Sequence, residues 1–276
     1  MTKKNKFLLS IFGISSAVLI LTITAFASIS TASGYDKYKK ALINTASNEK
    51  NYTANLNFRI LEDGKEIFSS LNEVKNDGSD SVSTIGNIKS EISEKEIQTI
   101  SQGSKTVYLG DDGKWHFFKN MGFFEGGNPF ANLTPNQIKF IELLSDTLTG
   151  DTKNYVVTNG NNVSLTLSEN QIPELSQFGL SSFIEIENKI AQTNNTLNIN
   201  NKIIIDPVIQ SFKFSATLGE NNVVKDTLVT FEFTYKDENN LPHISTINSE
   251  IYFSNFGTTT PLKIDDDILI DATLNN

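Results

Sequence analysis

The chain has 276 residues, 23 Lys and Arg against 32 Asp and Glu, a formal net charge of −9 and no cysteine. The missing cysteines exclude disulfides, thiolate metal sites, a thiol nucleophile and the lipidated cysteine of a bacterial lipoprotein. An acidic balance of this size repels nucleic acid and anionic headgroups, so no nucleic-acid partner is expected.

Met1–Ala32 reads as an address. Lys3, Lys4 and Lys6 form a cationic head, and no charged residue follows from Phe7 through Tyr35. Ala17–Ile23 is the densest apolar part, and Ala25-Phe26-Ala27 supplies an A-x-A cleavage pattern, with Ser30-Thr31-Ala32 a weaker second one. These are the parts of a secretory signal peptide. The competing reading is an uncleaved membrane anchor, because Phe7–Ala27 is just long enough to cross a bilayer. Either way residues 33–276 are expected outside the cytoplasm, as one exported β-rich domain that is secreted or held at the cell membrane. An exported chain of this size without disulfides points to a bacterial envelope.

Gly34–Ser47 has the pattern of a short amphipathic helix, with Tyr35, Tyr38, Leu42 and Thr45 on one face. From Tyr52 the period changes to two. Tyr52, Ala54, Leu56, Phe58 and Ile60 alternate with polar residues, which predicts a half-buried antiparallel strand. Asp63-Gly64 marks a hairpin turn, as do Asp77-Gly78 and Asp112-Gly113. Six strands in a meander account for Tyr52–Lys119.

Asn120–Leu133 breaks the pattern and carries Phe123, Phe124 and Phe130 among Gly122, Gly126, Gly127 and Pro129. Apolar side chains on a glycine-hinged loop are a candidate hydrophobic lid over a cavity, or a cap on the core. Thr134, Pro135 and Gln137 then open a capped helix. A helical insertion is expected over about 134–192, interrupted by a hairpin around Asn159-Gly160 and broken at Pro173 and Gly179. Three long strands follow. Phe212, Phe214, Ala216 and Leu218 share one face, as do Val229, Phe231, Phe233 and Tyr235, and the third bears Ile247, Ile251 and Phe253. Asp265–Asp267 reads as a solvated acidic turn before a short apolar tail. The expected fold is mainly β (α+β): a strongly curved antiparallel sheet or half-open barrel with short covering helices.

This order of elements resembles uncharacterised Gram-positive envelope proteins with a LolA/LppX-like, lipoprotein-carrier architecture. The resemblance rests on the export segment, the run Ser33-Gly34-Tyr35-Asp36-Lys37-Tyr38-Lys39, and the helical insertion opened by Leu133-Thr134-Pro135 between two sets of strands. It implies a half-open barrel around a hydrophobic cavity and a lipid-binding or other hydrophobic-ligand role. It carries over no ligand or catalytic residue.

Signals for chemistry are sparse. His116 alternates away from Trp115 and Phe117, and His243 follows Pro242 at a strand start. A metal pair would need the two histidines in contact with carboxylates, whereas isolated strand histidines are ordinarily structural or exposed. No G-x-S-x-G elbow or phosphate-binding glycine loop is present. Ser47-x-x-Lys50 lacks the companion motifs of the penicillin-binding enzymes. The sequence therefore assigns no catalytic residue, metal or cofactor. It points to a non-enzymatic, membrane-proximal binding protein, or else to a structural or protein-interaction module of the envelope. An exported hydrolase would instead need a polar cleft converging on His116 or His243.

Overall fold

The structure is a computed structural model describing residues 33–91, 93–118, 155–174, 176–178, 180–181, 184 and 203–274. The export segment and most of the expected helical insertion lie outside these residues. Helix α1 (Ser33–Asn48) leads into six consecutive strands. These are β1 (Asn51–Glu62), β2 (Lys65–Asp77), β3 (Ser81–Ser90), β4 (Glu94–Gln102), β5 (Lys105–Leu109) and β6 (Trp115–Phe117). A hairpin, β7 (Val156–Asn159) and β8 (Asn162–Ser168), precedes the long strands β9 (Ile205–Leu218), β10 (Val224–Lys236) and β11 (Pro242–Ser254). Helix α2 (Asp266–Leu274) ends the described chain.

All eleven strands form one antiparallel sheet in the order β6-β5-β4-β3-β2-β1-β11-β10-β9-β8-β7. The fold is mainly β, and among the described residues the sheet is not closed into a barrel. The six-strand meander stands as the alternation predicts. The two β blocks join where β1 pairs with β11, Leu56 opposite Ile251 and Ile60 opposite Ile247. Side chains alternate between faces with period two, so this register places Ala54, Leu56, Phe58 and Ile60 on the same side as Phe231, Phe233, Ile247 and Ile251. We call this side the front.

Helix α1 lies on the front of β7–β10. Tyr38 and Ala41 are buried among Val163, Leu165, Phe214, Ala216 and Leu218. Thr45 fixes the end of the helix: its hydroxyl donates to Ala41 O at 2.7 Å and accepts from Val224 N at 2.8 Å. At the other end of the helix, Gly34 is so close to the edge hairpin that an added Cβ would stand 2.8 Å from Thr158 Cγ2. A larger residue there would push the helix off the sheet.

The C-terminal segment crosses the back. Asn51 and Thr259 exchange two hydrogen bonds, of 2.7 and 2.9 Å, and Leu262 N donates to Ser83 Oγ at 3.0 Å. Helix α2 then seats Ala272 against Ile100 and Val107, with Ile264, Ile268, Trp115 and Phe117 around them. Asp265–Asp267 are exposed, as a solvated acidic segment should be, but they open a helix and are not a turn. Asp265 Oδ1 accepts Ile268 N–H at 2.9 Å, as a helix N-cap does. Asp266 and Asp267 lie in the first turn, where the helix dipole favours negative charge. Of the apolar tail, Ala272 is buried and Ile268 half-buried against the sheet, while Ile270 and Leu274 are exposed.

In the expected insertion, Ser168 N–H donates to Gln171 Oε1 at 2.9 Å over a single 3-10 turn, Glu169–Gln171. Residues 174, 176–178, 180–181 and 184 are helical. Gln177 ties this segment to the start of β9 by accepting Ile209 N–H at 2.9 Å and donating to Pro207 O.

Candidate functional site

The strand registers assemble the front into rows running across the sheet. Leu167 pairs with Phe212, Phe212 with Phe231, Phe231 with Ile247, Ile247 with Ile60 and Ile60 with Phe68. Six apolar side chains on six neighbouring strands thus form one continuous row. At roughly 4.8 Å per strand it is about 24 Å long. Helix α1 packs at the β7–β10 end of this face. Toward β1–β4 the row enters a second apolar cluster of Phe58, Ile60, Ile67, Phe68, Ile88 and Ile97, with Ile247 beside it. Phe58 and Phe68 meet edge to face at 6.0 Å. Phe231, Phe233 and Tyr235 make a ladder along β10, with centroid spacings of 5.7 and 5.9 Å.

That ladder ends in a polar cluster. Tyr235 stacks on His243, with ring centroids 5.3 Å apart, and its hydroxyl donates to Glu62 Oε2 at 2.6 Å. His243 Nδ1 lies 2.7 Å from Asp63 Oδ2 and 4.0 Å from Glu62 Oε1. Its Nε2 faces Asp237 Oδ2 at 3.6 Å, beyond hydrogen-bond reach, so that contact is electrostatic. Glu62 is 8 % exposed and His243 16 %, while Asp63 is 53 % exposed.

Two turns deliver these groups. Asp63 and Gly64 both have positive φ, 50° and 80°, the geometry of a tight hairpin turn. Asp63 also exchanges bonds with Ile244 on β11, at 2.8 and 2.9 Å. Asp237 Oδ1 accepts Asn239 N–H and Leu241 N–H, each at 2.8 Å, and so closes the β10–β11 turn.

The electrostatics follow from this packing. The hydrogen bond to Asp63 raises the His243 pKa; burial opposes it, and the charges of Asp63 and Glu62 add to the rise. Backbone donation from Leu241 holds the Asp237 carboxyl below its ordinary value. Burial pushes the Tyr235 phenol far up, and its bond to Glu62 pushes it further, so it stays a neutral donor.

The sequence singled out His243 but not Glu62, Asp63, Tyr235 or Asp237 as its company. Both turns are legible as turns, yet only the β1–β11 register brings them together. His116 stands apart, six strand steps away on β6. Its Nε2 is 3.0 Å from Asp112 Oδ1, and its ring stacks on Tyr108 at 5.4 Å. No metal-ligating cluster among the described residues contains both histidines. Phe123, Phe124 and Phe130 lie outside the described residues. Among those described, no helix is long and apolar enough to cross a membrane.

No family model matches this chain, and no curated protein matches it. Among solved structures, a LolA superfamily protein from Nitrosomonas europaea aligns at 9 % identity over 86 % of this chain and 97 % of its own, with a TM-score of 0.25. An acyl-CoA hydrolase from Agrobacterium tumefaciens aligns at 9 % identity over 81 % and 86 %, with a TM-score of 0.17. At these scores the backbones do not superpose closely, and no ligand or activity transfers from either neighbour.

Proposed function

We propose that this is an exported, membrane-proximal and non-enzymatic binding protein that takes a lipid or other elongated hydrophobic ligand on the front of its sheet. The observation that supports it is the in-register row Leu167–Phe212–Phe231–Ile247–Ile60–Phe68. Leu167, Phe212, Ile60 and Phe68 are already packed, at 4, 9, 8 and 3 % exposure, so an apolar chain would meet the row at its centre and there trade water for aliphatic and aromatic contact. Each buried methylene contributes about 0.8 kcal/mol. Phe231 and Ile247 at its centre are half-buried, so the row is not wholly closed by the protein itself. The polar cluster lies on the same face, with Glu62 one row and His243 two rows further along the strands, where a polar headgroup would sit. Phe123, Phe124 and Phe130 belong to the proposal as residues that close over the ligand.

Native mass spectrometry of the gently purified protein tests this, together with uptake of a fluorescent fatty acid. Co-purified lipid and saturable uptake, weakened by Ile247→Asn in a folded variant, are expected. No lipid and no uptake by the wild type would overturn the proposal.

A structural or protein-interaction module is the second reading. Leu71, Ile85, Leu228, Ile244 and Tyr252 favour it, since all five are exposed on the back of the sheet. They are interspersed with Glu73, Asn87, Thr230 and Glu250 rather than joined in one patch.

A further inference from the structure

We propose that Glu62, Asp63 and His243 form a binding site for one divalent transition-metal cation, with Zn²⁺ as the reference case. The site is the polar cluster that the hydrophobic-ligand reading gives to a headgroup, but metal binding is measured without any lipid, so the two readings fail separately. A carboxylate oxygen from each acid and a ring nitrogen of His243 all lie within 4.8 Å of one another. They come from the end of β1, its turn and the start of β11. The bonds between Asp63 and Ile244, of 2.8 and 2.9 Å, fix the turn against the strand before any ion arrives.

The surroundings orient each ligand as a metal centre requires. Tyr235 Oη donates to Glu62 Oε2, and Glu62 Oε1 lies 4.0 Å from His243 Nδ1. On the far side of the ring, Nε2 is buried and makes no hydrogen bond, with Asp237 Oδ2 3.6 Å away. A histidine that coordinates a metal through Nδ1 carries its proton on Nε2 and donates it to a carboxylate or carbonyl. Asp237 is already placed as that acceptor, held through its other oxygen by Asn239 and Leu241. A ring shift of about 0.7 Å brings the pair to hydrogen-bond distance.

The Nδ1–Oδ2 distance of 2.7 Å is that of a charge-assisted hydrogen bond, with a proton between the two atoms. A cation about 2.0–2.2 Å from both atoms needs them about 3.3 Å apart. Binding therefore replaces the proton and opens the pair by about half an ångström. From the imidazolium form the Nδ1 proton is released while Nε2 keeps its own, and from the neutral form the single proton moves to Nε2, so affinity rises with pH until the ring is neutral. One imidazole and two carboxylates suit the zinc and manganese class better than Ca²⁺, which prefers an all-oxygen shell.

The test is calorimetric titration of Zn²⁺ into the chelator-treated protein at two pH values and in two buffers of different ionisation enthalpy. One equivalent is expected, with binding tighter at the higher pH and a buffer-dependent heat that reports the released proton. His243→Gln and Asp63→Asn should abolish saturable binding. Asp237→Asn should weaken it about 10- to 100-fold, as removal of an outer-shell partner does. His116→Gln should bind as the wild type does. Circular dichroism shows which variants fold; the wild-type stoichiometry decides the question even if a variant does not. Absence of a one-to-one complex in the wild type would overturn the site. So would a folded His243→Gln that binds Zn²⁺ as tightly.

Discussion

The ring of Tyr38 on α1 meets Phe214 of β9 edge to face, with centroids 5.0 Å apart and planes at 73°. Both side chains are 2 % exposed, so this contact is what seats the helix on the sheet. Burial also drives the Tyr38 phenol far above its ordinary pKa, against a hydrogen bond with Thr227 that lowers it; the group stays neutral and paired. Tyr38→Ala should cost about 3–5 kcal/mol, the range for emptying a large aromatic site. Tyr38→Phe keeps the packing and loses one hydrogen bond, about 1 kcal/mol. Urea unfolding of the three proteins measures both. Equal midpoints for wild type and Tyr38→Ala would show that α1 contributes nothing to the core.

His243 predicts how stability varies with pH. Its folded-state pKa is raised from 6.5, first by the Asp63 hydrogen bond. The folded protein therefore holds the proton more tightly than the unfolded chain. The resulting stabilisation is complete below pH 6.5 and is lost as pH rises through the folded value. In the presence of chelator, the wild-type melting temperature should fall across that window relative to His243→Gln. Parallel curves for the two proteins would remove His243 from the balance.

Phe124 separates a lid from a core. If the Asn120–Leu133 segment covers a bound ligand, Phe124→Ser should leave the melting temperature nearly unchanged while weakening fatty-acid uptake. A core phenylalanine would instead cost roughly 3–5 kcal/mol on truncation to a small residue. Unfolding of the variant would assign this segment to the core.

N-terminal sequencing after cell fractionation resolves attachment. A mature chain beginning at Ser28 or Ser33 in the medium is the expected product of cleavage at one of the two small-residue patterns. Intact Met1 or Thr2 in the membrane pellet would establish the anchor instead.

The sequence alone determined the elements whose periodicity is set by one buried face. Tyr52 to Ile60 and Val229 to Tyr235 alternate because one side of the sheet is packed, and their strands and faces follow directly. The turns at Asp63-Gly64 and Asp112-Gly113 were equally legible, since Asp63, Gly64 and Gly113 take positive φ. The C-terminal helix was not. Its stripe is short, and its acidic start resembles a surface turn until Ile100 and Val107 are brought behind it. The polar cluster was hidden for a related reason. Asp63 and His243 stand 180 positions apart, and nothing local to either names the other. Local pattern encodes which way a side chain faces. Which strands become neighbours, and hence which side chains share a site, is decided only when β1 and β11 pair and close the two halves of the chain into one sheet.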